Sequence, residues 1–489
     1  MATTTELPRQ QLLIGGNWTD ARSGGEYEQS FPFNGEAVGA AAAASREDAR
    51  AAVEAASAAF GEWSRSAPAM RRTILLKAAD LLMERQQEIA GIVTEETGGV
   101  FGWGMFNVEL AAGMLREAAA QAYGLVGEVI PSDVPGKLAM GVRQPAGVVV
   151  AIAPWNAPVI LATRAVASPI AYANTVVLKA SELCPRTHAA VVHALEDAGL
   201  PPGVINLITN APADAADVVD ELIAHPATRR INFTGSTKVG RIIAEKAGRH
   251  LKRVLLELGG KAPMVVLRDA DLDRAAAAAS FGAFFHQGQI CMSTERIVAD
   301  RAIADSLASK LAERASALPV GDPRDPSTAI GPMVNAAAVE RVAGLVSDAL
   351  DKGAQALSGG EPNGPFFPPT VVSGVTADMQ LYGEESFGPV IAVVSVDGPD
   401  EAVRVANDTD YGLSAAVFSE NVPAALELAQ RIESGICHVN SSTVHDEPQM
   451  PFGGVKSSGF GRFGGRAALE EFTELRWITV QETPRQYPI

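Results

Sequence analysis

The sequence predicts an α/β protein built on two open, mostly parallel sheets with a cleft between them. Three observations carry this. The chain has 489 residues, more than one core of ordinary size organises, so two or three domains are expected. From Gly147 onward, short β-rich runs alternate with helical segments, a rhythm that calls for right-handed crossovers between parallel strands. A second series of the same kind begins near Lys261 and runs to about Gly435.

The elements follow in order. Ile14-Gly15-Gly16-Asn17-Trp18 reads as a small strand and turn. Ser45 stands as an N-cap before an alanine-rich helix reaching residue 60. One long helical pattern covers 69–96 and stops at Gly98-Gly99, a C-cap signal; another covers 103–123. Runs at 148–153, 175–179, 204–208, 230–233 and 253–257 read as strands, separated by helices at 159–172, 185–198, 214–224 and 236–247. The segment 126–143 and the tail after Phe472 read as extended.

Composition excludes several classes of function. A hydrophobic fraction of 47% with 20% charged residues is globular. The net charge of −17, with no basic stripe, argues against nucleic acid and fits simple solubility. No apolar run reaches the length of a membrane span, and the N-terminus lacks the basic start and apolar stretch of an export signal. Cys184, Cys291 and Cys437 have no metal-ligand spacing, so no metal is expected; they suggest reduced thiols and a cytoplasmic location.

Three short segments carry chemistry. Phe284-Phe285-His286-Gln287-Gly288-Gln289-Ile290-Cys291-Met292-Ser293-Thr294-Glu295-Arg296 holds one cysteine among glycine-containing, polar and apolar stretches. Upstream lie Leu256-Glu257-Leu258-Gly259-Gly260-Lys261 and Ala153-Pro154-Trp155-Asn156-Ala157-Pro158. A thiol that adds to a carbonyl, a carboxylate that activates water and an amide that donates to an alkoxide are the groups needed to oxidise an aldehyde to an acid. Plainer readings compete: a lone cysteine is more often an inert core residue, Glu257 could cap the next element, and Asn156 could be a turn residue between prolines.

Together these segments resemble the signature motifs of the NAD(P)-dependent aldehyde dehydrogenase superfamily, and the resemblance runs from about Gly15 to Trp477. It implies Cys291 as nucleophile, Glu257 as general base and Asn156, with the Cys291 backbone N–H, as oxyanion donor. The presence of Glu257 argues against the coenzyme A-acylating branch. The resemblance also implies two Rossmann-like open-sheet α/β domains plus a small β oligomerisation flap. The expected boundaries are 1–125 with 146–258 for dinucleotide binding, 259–457 for catalysis, and 126–145 with 472–489 for the flap of a homodimer or homotetramer.

The usual Gly-x-Gly-x-x-Gly is absent from the strand-to-helix turns of the series that begins at Gly147. In its place Phe233-Thr234-Gly235-Ser236 turns from a strand end into a helix, where free N–H groups and the helix dipole favour a pyrophosphate. By resemblance Trp155 lies beside the cofactor, Lys179 and Glu182 hold the adenine ribose, Glu385 holds the nicotinamide ribose, and Phe387 packs nearby. A carboxylate at Glu182 accepts from a 2′-hydroxyl and repels a 2′-phosphate, which favours NAD over NADP. Two departures from the family pattern matter. His286 stands where an asparagine is common, and we read it as a packing or loop residue. Phe463 follows Arg462 where many hydrolytic members carry glutamate, removing a proton acceptor near Glu257.

The expected substrate pocket comprises Phe106, Arg164, Ile290, Met292, His445 and Phe452, with Trp103 either adding to an aromatic wall or filling helix core. Arg164, two turns beyond Asn156, could meet a ring hydroxyl, a methoxy group or a distal carboxylate, or pair with an acidic neighbour at the rim. The stretch Cys437 to Gly454 is similar to bacterial aromatic-aldehyde members acting on vanillin, salicylaldehyde and benzaldehyde. An aromatic aldehyde is therefore the expected small-molecule partner. The rival readings are a semialdehyde or aliphatic aldehyde and, less favoured, a catalytically silent cofactor-binding protein.

Overall fold

The five strands that open the α/β series assemble in the order Ile205–Ile208, Thr175–Lys179, Val148–Ile152, Thr228–Thr234, Arg253–Glu257, all parallel. This computed structural model describes residues 7–489. The strand sequences are runs of Val, Ile and Leu because helices cover both faces; Val148–Ile152 and Thr175–Lys179 are buried at every position. Antiparallel strands finish the eight-stranded sheet: Gly459–Phe460 at one edge, and Leu12–Ile14 with Asn17–Thr19 at the other. The last two form a hairpin about the turn expected at Gly15-Gly16, both of which take positive φ. The chain order reverses direction across the sheet between Val148–Ile152 and Thr228–Thr234, which opens a crevice at their carboxyl ends.

The second sheet has seven strands in the order Gln355–Ser358, Thr370–Ser373, Val390–Val396, Thr294–Asp300, Ala262–Val266, Ser414–Phe418, Ile436–Val439, parallel except at the first edge. Only residues 258–261 separate the end of Arg253–Glu257 in the first sheet from the start of Ala262–Val266 in the second. The carboxyl edge of one sheet is thereby joined to the amino edge of the other. A third, three-stranded sheet pairs Lys137–Pro145 with Gly127–Ile130 on one side and Thr473–Gln481 on the other, all antiparallel.

Local chemistry explains most element ends. Ser45 and Asp48 form a capping box at the start of helix Arg46–Trp63. The helical pattern at 69–96 requires correction. It is two helices, Pro68–Glu84 and Gln86–Thr97, because Arg85 leaves helical geometry at φ −99° and ψ 13°. Neither glycine nor proline marks that break; the Arg85 guanidinium reaches Asp197 at 2.6 Å. Gly98, at φ +72°, ends the second helix as expected. Helix Phe101–Gln121 packs on Pro68–Glu84 and on Pro158–Ala171, and their buried side chains run continuously to Ile290, Met292 and Phe452. The same core that holds the N-terminal helices therefore holds both neighbours of Cys291.

Candidate active site

Glu257 is the last residue of its strand, level with Thr234 of the neighbouring strand. Cys291 lies in the turn that leads into Thr294–Asp300, closed by the Ser293 N–H donating to the Ile290 carbonyl at 2.9 Å. That turn is pinned from several sides. Ser293 Oγ donates to Gly282 O at 3.0 Å, Thr443 Oγ1 donates to Met292 O at 2.7 Å, and Thr294 Oγ1 lies 2.7 Å from Thr443 Oγ1. The approach is close enough to demand glycine: a Cβ on Gly260 would stand 2.5 Å from the Cys291 carbonyl oxygen.

Glu257 is 1% exposed, and among the described residues neither of its carboxylate oxygens has a hydrogen-bond partner of regular geometry. Burial raises its pKa to about 7, partly opposed by the Arg164 charge and by contact with the Cys291 thiol. Burial and the negative field of Glu257 push the half-buried Cys291 thiol well above its ordinary range, and Arg164 pulls the other way. The resting pair is thus a protonated thiol beside a carboxyl group poised near neutrality. Cys184 is wholly buried and its thiol is pushed well up by burial, while burial raises Cys437 to about 11.

Asn156 sits just past the strand Val148–Ile152. One hydrogen of its amide donates to the Gln289 carbonyl at 3.0 Å, which leaves the second for a ligand. Its backbone carbonyl accepts from Trp103 Nε1 at 3.0 Å. Trp103 is buried core rather than open pocket wall, and His286 stacks on it with ring centroids 4.5 Å apart. His286 is itself wholly buried, and burial lowers its pKa to about 3, so it is a neutral packing residue. His286 and Gln287 both take left-handed φ, at 49° and 55°, which turns the chain sharply ahead of Cys291.

The expected cofactor residues fall in two groups. A cleft of about 600 Å³ runs along the carboxyl ends of the first sheet and is lined by Trp155, Lys179, Glu182, Gly235 and Ser236. Lys179 pairs with Glu182, which also accepts from Asn210 Nδ2 at 3.0 Å. Burial pushes the Glu182 carboxyl up, but Lys179 and these hydrogen bonds outweigh it and hold the group below its ordinary value. Ser236 caps helix Thr237–Arg249 and presents the first turn's N–H groups to the cleft.

Glu385 and Phe387 form the second group, on the loop before Val390–Val396. Glu385 accepts from the Gly260 N–H at 2.9 Å, and burial with the nearby Glu295 charge raises its pKa to about 7. A Cβ on Gly259 would lie 2.5 Å from a Glu385 carboxylate oxygen. Phe387 meets Trp155 edge-to-face at 5.8 Å, which links the two groups.

The pocket residues behave differently from one another. Ile290, Met292 and Phe452 are buried together, and Arg164 lies over the Phe452 ring at 4.0 Å. Arg164 also forms an ion pair with Asp446, and both side chains are nearly buried. Phe106 is partly exposed and packs on Trp103 and Phe285, at 5.7 and 6.1 Å. His445 lies at the surface, 3.0 Å from Glu447, and its neighbour Asp446 turns inward. Phe463 is buried and bridges Phe452 through paired backbone hydrogen bonds of 2.9 Å.

Sequence reasoning missed Asp446, which has no motif of its own, and the roles of Lys261 and Glu295. Both lie inside quoted motifs, yet only the fold shows them joined, at 2.6 Å, beneath the Glu385 loop.

Comparisons with known proteins agree with this geometry. Residues 18–478 match the aldehyde dehydrogenase family. A vanillin dehydrogenase of Pseudomonas fluorescens is 57% identical over 98% of this chain and 99% of its own. An NAD(+) benzaldehyde dehydrogenase of Pseudomonas putida is 40% identical over 97% of each. The crystal structure of a salicylaldehyde dehydrogenase from Pseudomonas putida G7, complexed with salicylaldehyde, superposes with a TM-score of 0.97 at 45% identity, covering 99% of this chain and 100% of that one. With its two joined sheets, its buried carboxyl beside a thiol and its matching relatives, this chain belongs to the aldehyde dehydrogenase family.

Proposed function

We propose that the protein oxidises aromatic aldehydes of the vanillin, salicylaldehyde and benzaldehyde type to carboxylic acids, with NAD as hydride acceptor. The carrying observation is the meeting of Cys291, Glu257 and Asn156 at the seam between the two sheets, beside the buried wall of Ile290, Met292 and Phe452. The relatives matched over nearly their whole length act on such aldehydes by name.

Glu257 takes the proton of the Cys291 thiol, and the thiolate adds to the carbonyl carbon. The alkoxide that forms is held by the free hydrogen of the Asn156 amide and by the Cys291 backbone N–H. NAD, when bound, supplies the acceptor for the hydride that the thiohemiacetal loses. Glu257 gives up that first proton to solvent, the one proton the overall reaction releases, and is again a base. It then removes a proton from water as the water attacks the thioester, and returns it to the departing Cys291 sulfur as the acid leaves.

The cleft fits this cofactor. Ser236 offers a helix N-terminus for the pyrophosphate. Lys179 and Glu182 stand ready for ribose hydroxyls, with a carboxylate held ionised where a 2′-phosphate would fall. Glu385 and Phe387 would hold the nicotinamide end. The three-stranded sheet exposes Val129, Leu475 and Trp477, which suits it to an oligomer interface in a homodimer or homotetramer. No helix among the described residues is long and apolar enough to cross a membrane, and the three unpaired cysteines suit a cytoplasmic enzyme.

The test is NADH formation with vanillin, salicylaldehyde, benzaldehyde, succinate semialdehyde and hexanal. The aromatic set is expected to lead in kcat/KM; a lead for succinate semialdehyde or hexanal overturns the reading.

A further inference from the structure

Arg164 is the cation that bears on the reacting centre, since its charge acts on both Glu257 and Cys291. A free guanidinium beside an aldehyde site would attract substrates ending in a carboxylate. Here it is not free. Asp446 pairs with it, with side-chain exposures of 6% and 9%, and its other surface lies on the Phe452 ring at 4.0 Å. The space beyond the pair is only about 20 Å³, room for roughly one water. That space is lined by Glu117 and Glu447 as well as Asp446, and among the described residues only Asp446 pairs with the guanidinium.

We infer that Asp446 is a specificity-determining residue that excludes carboxylate-bearing aldehydes by occupying Arg164. The inference rests on the aromatic-aldehyde reading and deepens it. A substrate carboxylate reaching Arg164 would have to displace Asp446 and leave that charge buried without a partner, the unfavourable outcome for any buried pair. A neutral ring demands no such exchange and stacks on a wall whose charges already cancel. Discrimination therefore comes from a repulsive element built into the wall as much as from contacts with the favoured ring.

The test compares 4-carboxybenzaldehyde with 4-formylbenzamide, which match in size and differ in charge. The wild-type protein is expected to favour the amide in kcat/KM by about tenfold or more, the scale of one buried charge left unpaired. In Asp446→Asn the acid-to-amide ratio should rise by at least about tenfold, because the guanidinium becomes available. Asp446→Glu, which keeps the pair, should return the ratio toward that of the wild type. A purely structural role for Asp446 would lower both substrates together and leave the ratio unmoved, which overturns the inference. A wild-type ratio near one overturns it as well, whether or not the asparagine variant folds. Failure of the underlying reading looks different: hexanal would be oxidised in preference to vanillin and to both para-substituted rings.

Discussion

Lys261 and Glu295 form a wholly buried ion pair, with Nζ 2.6 Å from Oε2, and the same carboxylate accepts the backbone N–H groups of Ser386 at 2.7 Å and Phe387 at 3.0 Å. One carboxylate thus fastens the residue that follows Glu257-Leu258-Gly259-Gly260 to the strand after Cys291 and to the loop carrying Glu385. Glu295→Gln leaves Lys261 charged and unpaired in the core. It should lower stability by about 3–5 kcal/mol, seen as a fall in the urea midpoint. Because the Glu385 loop loses its anchor, KM for NAD should rise more than KM for the aldehyde.

Replacement of Cys291 by serine should reduce NADH formation by at least about a thousandfold, since the hydroxyl is a far weaker nucleophile beside the same base. Fluorescence titration should show NAD binding retained. In the wild-type protein, mass spectrometry after iodoacetamide should find label on Cys291 and none on the buried Cys184.

Glu257 sets the expected pH dependence. A carboxyl titrating near 7 acts as a base only when ionised, so kcat/KM should climb as pH rises through about 7 and level off above it. Glu385 titrates in the same region, so two variants are needed to assign the limb. Glu385→Gln should keep the rising limb while raising KM for NAD. Glu257→Gln should abolish the limb and lower kcat by about 10²–10⁴.

Asn156→Ala removes the amide donor while leaving the backbone N–H of Cys291. A fall of about 10²–10³ in kcat with little change in aldehyde KM is expected, because the lost bond forms only once the carbonyl becomes an alkoxide. A rise in KM without loss of kcat would instead make Asn156 a substrate-binding group.

Glu182→Ala removes the carboxylate proposed to repel a 2′-phosphate, and leaves Lys179 without its ion-pair partner. The ratio of kcat/KM for NADP over NAD should rise by about tenfold or more, measured at a fixed, saturating aldehyde concentration.

Much of the fold is legible in the sequence. The strands Thr175–Lys179 and Arg253–Glu257 fall where the apolar runs end, and Ser45 and Gly98 mark helix ends through chemistry that acts within one turn. Cys291, Glu257 and Asn156 come together because each sits beside a strand end that the motifs already located. What could not be read depends on neighbours distant in sequence. The break at Arg85 carries no glycine or proline. Which of His445 and Asp446 turns inward follows from how the 440–452 segment lies on Arg164, 282 positions away from Asp446. Glu295 lies on Thr294–Asp300 and Lys261 just ahead of the adjacent strand Ala262–Val266, a pairing that sequence pattern alone does not fix.

The four residues 258–261 have a consequence for how this enzyme fails. Glu257 ends a strand of one sheet and Cys291 precedes a strand of the other, so on the proposed mechanism neither half of the molecule contains a working centre. Catalysis is therefore a gauge of how the halves sit together, finer than any measure of helix or strand content. In graded denaturant, turnover should vanish while far-ultraviolet circular dichroism still records folded sheets, because a separation of an ångström or so at the seam disarms the thiol long before either core opens.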